Sequence, residues 1–120
     1  MDMKAVDFVK EAKANIIEVD INQAKKLLAE NALVLDVREP NEYATGYIAN
    51  AVNIPRGVLE FKINQHIDDS DKSVSILVYC KTGGRGALAV NTLKLMGYKQ
   101  VVSLQGGIDN WVSAGNPIEK

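Results

Sequence analysis

Residues 74–96, VSILVYCKTGGRGALAVNTLKLM, decide how this chain folds. The first six are apolar on almost every consecutive position, the pattern of a strand covered on both faces. Residues 86–96, GALAVNTLKLM, carry apolar side chains around a wide helical face, and Gly97 follows where a left-handed cap is needed. Between strand and helix lies CKTGGRG. The chain must turn sharply there, and Gly83, Gly84 and Gly86 make the turn sterically cheap.

The same alternation continues on either side. Residues 15–20, NIIEVD, read as a short strand, and Asp20 then caps a helix over 21–30 whose apolar positions are Ile21, Ala24, Leu27 and Leu28. Residues 32–37, ALVLDV, form a second buried strand. A loop with one helical turn follows over 38–47, then a brief strand at 51–55 closed by Pro55. The spacing of Val58, Phe61 and Ile67 predicts a helix over 57–67, and 68–73 is an acidic surface turn. Residues 101–104 are a further strand, after which Gly106-Gly107 turns the chain into a last helix at 108–114, stopped by Gly115 and Pro117. Strands alternating with helices at this spacing predict an α/β fold, a parallel β-sheet flanked by helices on both faces. With no repeat and no linker, residues 1–120 read as a single domain.

Residues 1–20, MDMKAVDFVKEAKANIIEVD, carry a charge every few positions and lack the uninterrupted apolar core of a secretory signal or membrane span. The formal net charge of -1 reflects balanced acids and bases, so neither nucleic acid nor membrane is expected as a partner and the cytoplasm is the default location. One cysteine cannot close an internal disulfide. With a single histidine and no C-x-x-C it cannot build a zinc site either, and no metal or other cofactor is expected.

In parallel sheets, ligands sit at the carboxyl ends of strands, and Cys80 falls at one. A glycine-rich turn backed by a helix N-terminus offers inward backbone N–H groups, an anion cradle. That cradle, Lys81 and Arg85 each favour thiolate over thiol, which predicts an exposed, reactive nucleophile prone to disulfide-linked dimers. A lone cysteine ending an apolar strand is otherwise a small buried hydrophobe. Three glycines and two cations in the six residues after it have little packing purpose and weigh against that reading.

CKTGGRGA (80–87) resembles the active-site loop of rhodanese-like domains, C-x-x-G-x-R followed by Ser or another small residue. Residues 34–55, VLDVREPNEYATGYIANAVNIP, are similar to that family's D-x-R-x-x-x-E-[FY]-x-x-G-H-I-x-G-A-x-N-[IV]-P signature. LEFKI (59–63) stands where its connecting helix lies, and LQGGIDNWVSAGNPIEK (104–120) resembles its closing G-G-x-x-x-W-x-x-A-G-x-P-[IV]. The resemblance runs from about Ile16 to the end. It implies a thiosulfate sulfurtransferase: Cys80 takes the outer sulfur of thiosulfate or a related donor and passes it, as a persulfide, to cyanide, a small thiol or a protein thiol. It also implies that Lys81, Thr82, Gly83, Gly84, Arg85 and Gly86 form the substrate-binding loop. Tyr47, Asn50 and Gly86 depart from the pattern, standing where His, Gly and Ser are usual.

Asp36, Arg38 and Glu42 are read as structural groups near the site, and Tyr43 and Trp111 as core or boundary aromatics. His66 carries no mark of catalysis. A second functional class is a persulfide carrier that docks on a partner protein. A third, phosphatase or arsenate reductase, needs a C-x5-R loop, whereas Cys80 and Arg85 enclose only four residues.

Overall fold

In the computed structural model, which describes residues 2–120, the elements in order are α1 (Ala5–Ala14), β1 (Glu18–Val19), α2 (Ile21–Ala29), β2 (Leu33–Asp36), α3 (Pro40–Tyr43), β3 (Val52–Asn53), α4 (Leu59–Lys62), β4 (Ser75–Tyr79), α5 (Gly84–Leu95), β5 (Gln100–Leu104) and α6 (Gly107–Ser113). Short 3-10 turns at Arg56–Val58 and Ile63–Gln65 flank α4. The five strands form one sheet in the order β1-β5-β4-β2-β3, and each ladder is parallel.

The consecutive aliphatics of the central strand β4 divide between two cores, because side chains alternate across a sheet. Ile76, Val78 and, just past the strand, Cys80 pack with Leu35, Leu59, Val90 and Leu93, beneath α4 and α5. Leu77 and Tyr79 pack with Ala24, Val34, Ile108 and Trp111, beneath α2 and α6. Ile76 and Leu77 are fully buried, worth roughly 1.5–3 kcal/mol each relative to exposure.

Asp20 caps α2 as the sequence requires: its Oδ1 accepts from Gln23 N–H at 2.8 Å, and Gln23 Oε1 accepts from Asp20 N–H at 2.9 Å. Gly97 takes the expected left-handed conformation after α5, at φ +103°. Two regions differ from expectation. The predicted helix over 57–67 is a single α-turn between two 3-10 turns, which rotates its inward face; Leu59, Ile63 and Ile67 are buried while Phe61 is exposed. The segment before residue 15 contains a helix, α1, that packs against α5. It lacks a clean apolar stripe, since Val6 and Phe8 face solvent and only Ala12 is fully buried. Its anchors are instead tertiary, among them the Lys94 ammonium donating to Asn15 O at 2.6 Å. Among the described residues no helix is long and apolar enough to cross a membrane.

Candidate active site

Cys80 leaves the carboxyl end of β4 and the chain enters α5 four residues later. The helix starts at Gly84, two residues before the sequence places it, so Gly84, Arg85 and Gly86 belong to its first turn. Gly83 makes this possible by adopting φ +119°, and its N–H donates to Cys80 Sγ at 3.1 Å. The sulfur therefore sits against the N-terminus of a 12-residue helix, where the helix dipole favours an anion. The thiol is not exposed as expected: Cys80 is 1% accessible, because its side chain points into the core beneath α5 while the loop tip, Lys81 and Thr82, reaches solvent. Spontaneous dimerisation through it is disfavoured.

The turn between β5 and α6 holds the loop from the other side. Ile108 N–H donates to Cys80 O at 2.9 Å and Asp109 N–H to Lys81 O at 3.1 Å. Gly107, at φ +62°, lies so close that a Cβ there would collide with both of these carbonyl oxygens. Asp109 also pairs with the Lys81 ammonium at 2.9 Å, with both side chains at least half exposed. No motif in the sequence marks Asp109; its only signal there is its nearness to the Gly106-Gly107 turn.

Arg85 is held by Glu42, Nη1 to Oε1 at 2.6 Å and Nη2 to Oε2 at 3.0 Å. The Arg85 hydrogen bond carries the Glu42 carboxyl down to about 2, against partial burial, with Glu39 N–H helping. The same hydrogen bond raises Arg85. Both cations near the sulfur are thus already paired with carboxylates, which weakens the positive field expected from the sequence.

Asp36 and Arg38 form a second, buried pair. Arg38 Nη2 reaches Asp36 Oδ2 at 2.7 Å and Gly46 O at 2.6 Å, and Arg38 Nε contacts both carboxylate oxygens at 3.1 Å. Burial pulls the guanidinium down, but the hydrogen bonds and charge of Asp36 outweigh it and leave Arg38 above its ordinary value. Asp36 neighbours Tyr79 in register and, by alternation, points to the Tyr79 face of the sheet, opposite Cys80. It is not placed to protonate a leaving group at the sulfur.

Tyr47 stacks on Tyr43 with ring centroids 4.3 Å apart, Tyr43 Oη donates to Ala51 O at 2.9 Å, and Trp111 Nε1 donates to Pro117 O at 2.9 Å. Asn50 holds the left-handed turn, at φ 67°, that glycine would otherwise supply. His66 is exposed beyond the second 3-10 turn. Beside the loop, a cleft of about 270 Å³ is lined by Arg38, Asn41, Glu42, Thr45, Lys81, Ile108 and Asp109. Among the described residues no group of three or more His, Cys, Asp or Glu is arranged to hold a metal ion.

A parallel five-stranded sheet with a cysteine and a glycine-rich turn at the end of its central strand defines a class, and residues 20–114 match the Rhodanese-like domain. The chain belongs to that family. A sulfurtransferase of Allochromatium vinosum is 33% identical over 103 residues, covering 84% of this chain and 92% of that protein. The polysulfide-sulfur transferase homodimer of Wolinella succinogenes superposes with a TM-score of 0.79 at 35% identity, over 92% of this chain and 83% of that one. A protein of unknown function from Rhodopseudomonas palustris, described as a possible tyrosine phosphatase, superposes at 0.84 with 28% identity, over 99% and 96% of the two chains.

Proposed function

We propose that this protein is a sulfurtransferase that carries a sulfane sulfur on Cys80. The observation that carries the reading is the Gly83 N–H, held 3.1 Å from a buried sulfur at the start of α5. The Cys80 thiolate attacks the outer sulfur of thiosulfate, the S–S bond of the donor breaks, and sulfite leaves with the bonding pair. The persulfide anion on Cys80 then gives its outer sulfur to cyanide, forming thiocyanate, or to a thiolate, forming a new persulfide. Charge balances in both steps and no general base is needed, in keeping with a site that holds the Gly83 N–H against the sulfur and has no histidine.

Phosphoryl transfer fits less well. The loop between Cys80 and Arg85 is four residues, too few to ring a tetrahedral oxyanion, and the Arg85 guanidinium is occupied by Glu42.

Intact mass measured after incubation with thiosulfate tests the reading. The expected result is a gain of one sulfur atom that is absent in Cys80→Ser and is removed by cyanide with release of thiocyanate. Rapid loading but turnover only with a protein thiol favours the carrier role. Cys80-dependent hydrolysis of an aryl phosphate without sulfur loading would replace sulfur transfer with the phosphatase reading.

A further inference from the structure

β5 carries a hydroxyl that its fold leaves without a partner. Ser103 is 0% exposed, and its Oγ has no hydrogen-bond partner among the described residues. Its backbone is satisfied in the ordinary way, with its N–H donating to Ile17 O at 3.1 Å. A buried hydroxyl that donates to nothing is costly, and in a native fold it calls for a reason.

The surroundings supply one. Ser103 pairs in register with Val78 and lies on the face of the sheet that α5 covers, the face toward which Cys80 points. Ser103 Oγ is 3.0 Å from the position a Cβ on Gly86 would take, and Cys80 Sγ is 3.7 Å from that same position. Hydroxyl and sulfur therefore border one gap, opened by the missing side chain of Gly86. Gly86 is also the place where the sequence resembles its family but lacks the usual serine. With Arg85 bound to Glu42 and Lys81 to Asp109, an anionic sulfur here depends heavily on neutral donors.

We infer that Ser103 is a hydrogen-bond donor to the reacting sulfur, reaching Sγ across the Gly86 gap when Cys80 is a thiolate or carries a persulfide, and so supplying from β5 the hydroxyl absent at Gly86. The inference deepens the sulfurtransferase reading and rests on it for the persulfide, but its contact with Cys80 is testable without any sulfur donor.

The test is the rate of Cys80 alkylation by iodoacetamide at pH 7, read by intact mass on the full chain, with thermal melts to confirm folding. Ser103→Ala is expected to slow alkylation roughly 10-fold, the scale of one lost hydrogen bond to a charged group. Adding Gly86→Ser, which puts a hydroxyl on the other wall of the gap, restores most of the rate, whereas adding Gly86→Ala does not. Should Ser103→Ala fail to fold, Ser103→Thr and Ser103→Val have nearly the same shape and differ in the hydroxyl, and Thr is expected to be the faster by a similar factor. An unchanged rate in Ser103→Ala overturns the inference, as does equal rescue by Gly86→Ala and Gly86→Ser, which would assign the effect to packing. Wild-type protein that takes no sulfur from thiosulfate or from a polysulfide overturns the sulfurtransferase reading and leaves the alkylation comparison to decide the role of Ser103.

Discussion

Arg85, in the first turn of α5, and Glu42, in α3, meet in a two-point ion pair of 2.6 and 3.0 Å across 43 positions of sequence. The pair joins the loop after β2 to the helix that backs the sulfur, and it places a full countercharge on a cation of the helix turn beside the sulfur.

Glu42 sits at about 2 when folded, below its ordinary 4.5. A carboxyl lowered by folding stabilises the native state above its unfolded value and loses that contribution as pH falls through the folded one. Glu42→Gln should therefore cost about 1 kcal/mol at pH 6, a figure discounted for the partly exposed pair. In urea melts the gap from wild type should narrow between pH 4.5 and 2. A gap that widens on acidification would contradict the pairing.

Arg38→Ala leaves Asp36 without its countercharge at 0% exposure. Breaking a buried pair from one side costs about 3–5 kcal/mol. Equilibrium urea unfolding should show a loss of that size, several times that of Glu42→Gln.

Gly107→Ala drives a methyl group toward the carbonyl oxygens of Cys80 and Lys81 at a positive φ, whereas Gly115→Ala, at φ +86°, meets nothing within 4 Å. Both pay for the left-handed backbone, about 1 kcal/mol. The Gly107 variant should lose roughly 2 kcal/mol or more in all and alkylate at Cys80 with an altered rate. The Gly115 variant should keep the wild-type alkylation rate.

Asp109→Asn releases the Lys81 ammonium from an exposed pair, so stability should change by about 0.5 kcal/mol or less. A freed cation at the loop should instead favour anionic reagents. The alkylation rate with iodoacetate relative to iodoacetamide should rise about 2-fold, and the rise should vanish in high salt.

Much of the fold is legible in short stretches of the chain. The consecutive aliphatics at 32–37 and 74–79 announce strands buried on two faces, Asp20 before the apolar spacing of 21–30 announces a capped helix, and Gly97 announces where α5 stops. The helix over 57–67 is misjudged because apolar residues fall on more than one helical phase, and packing under the sheet selects Leu59, Ile63 and Ile67 over Phe61. α1 is missed for the opposite reason: with Val6 and Phe8 outside, its own pattern is weak and its stability comes from α5.

The candidate site divides in the same way. Cys80 at a strand end, the glycine turn and the following helix are local features, so residues 74–96 alone determine that a sulfur meets a helix N-terminus. The pairing of Arg85 with Glu42, of Lys81 with Asp109 across 28 positions, and the approach of Ser103 to the gap at Gly86 belong to the tertiary structure. Each joins segments that the chain separates and that become neighbours only when β2, β4 and β5 align in one parallel sheet. Periodicity and turn chemistry report how a segment behaves by itself; which charge neutralises which, and which hydroxyl faces the sulfur, depends on the register between strands, and no single segment encodes it.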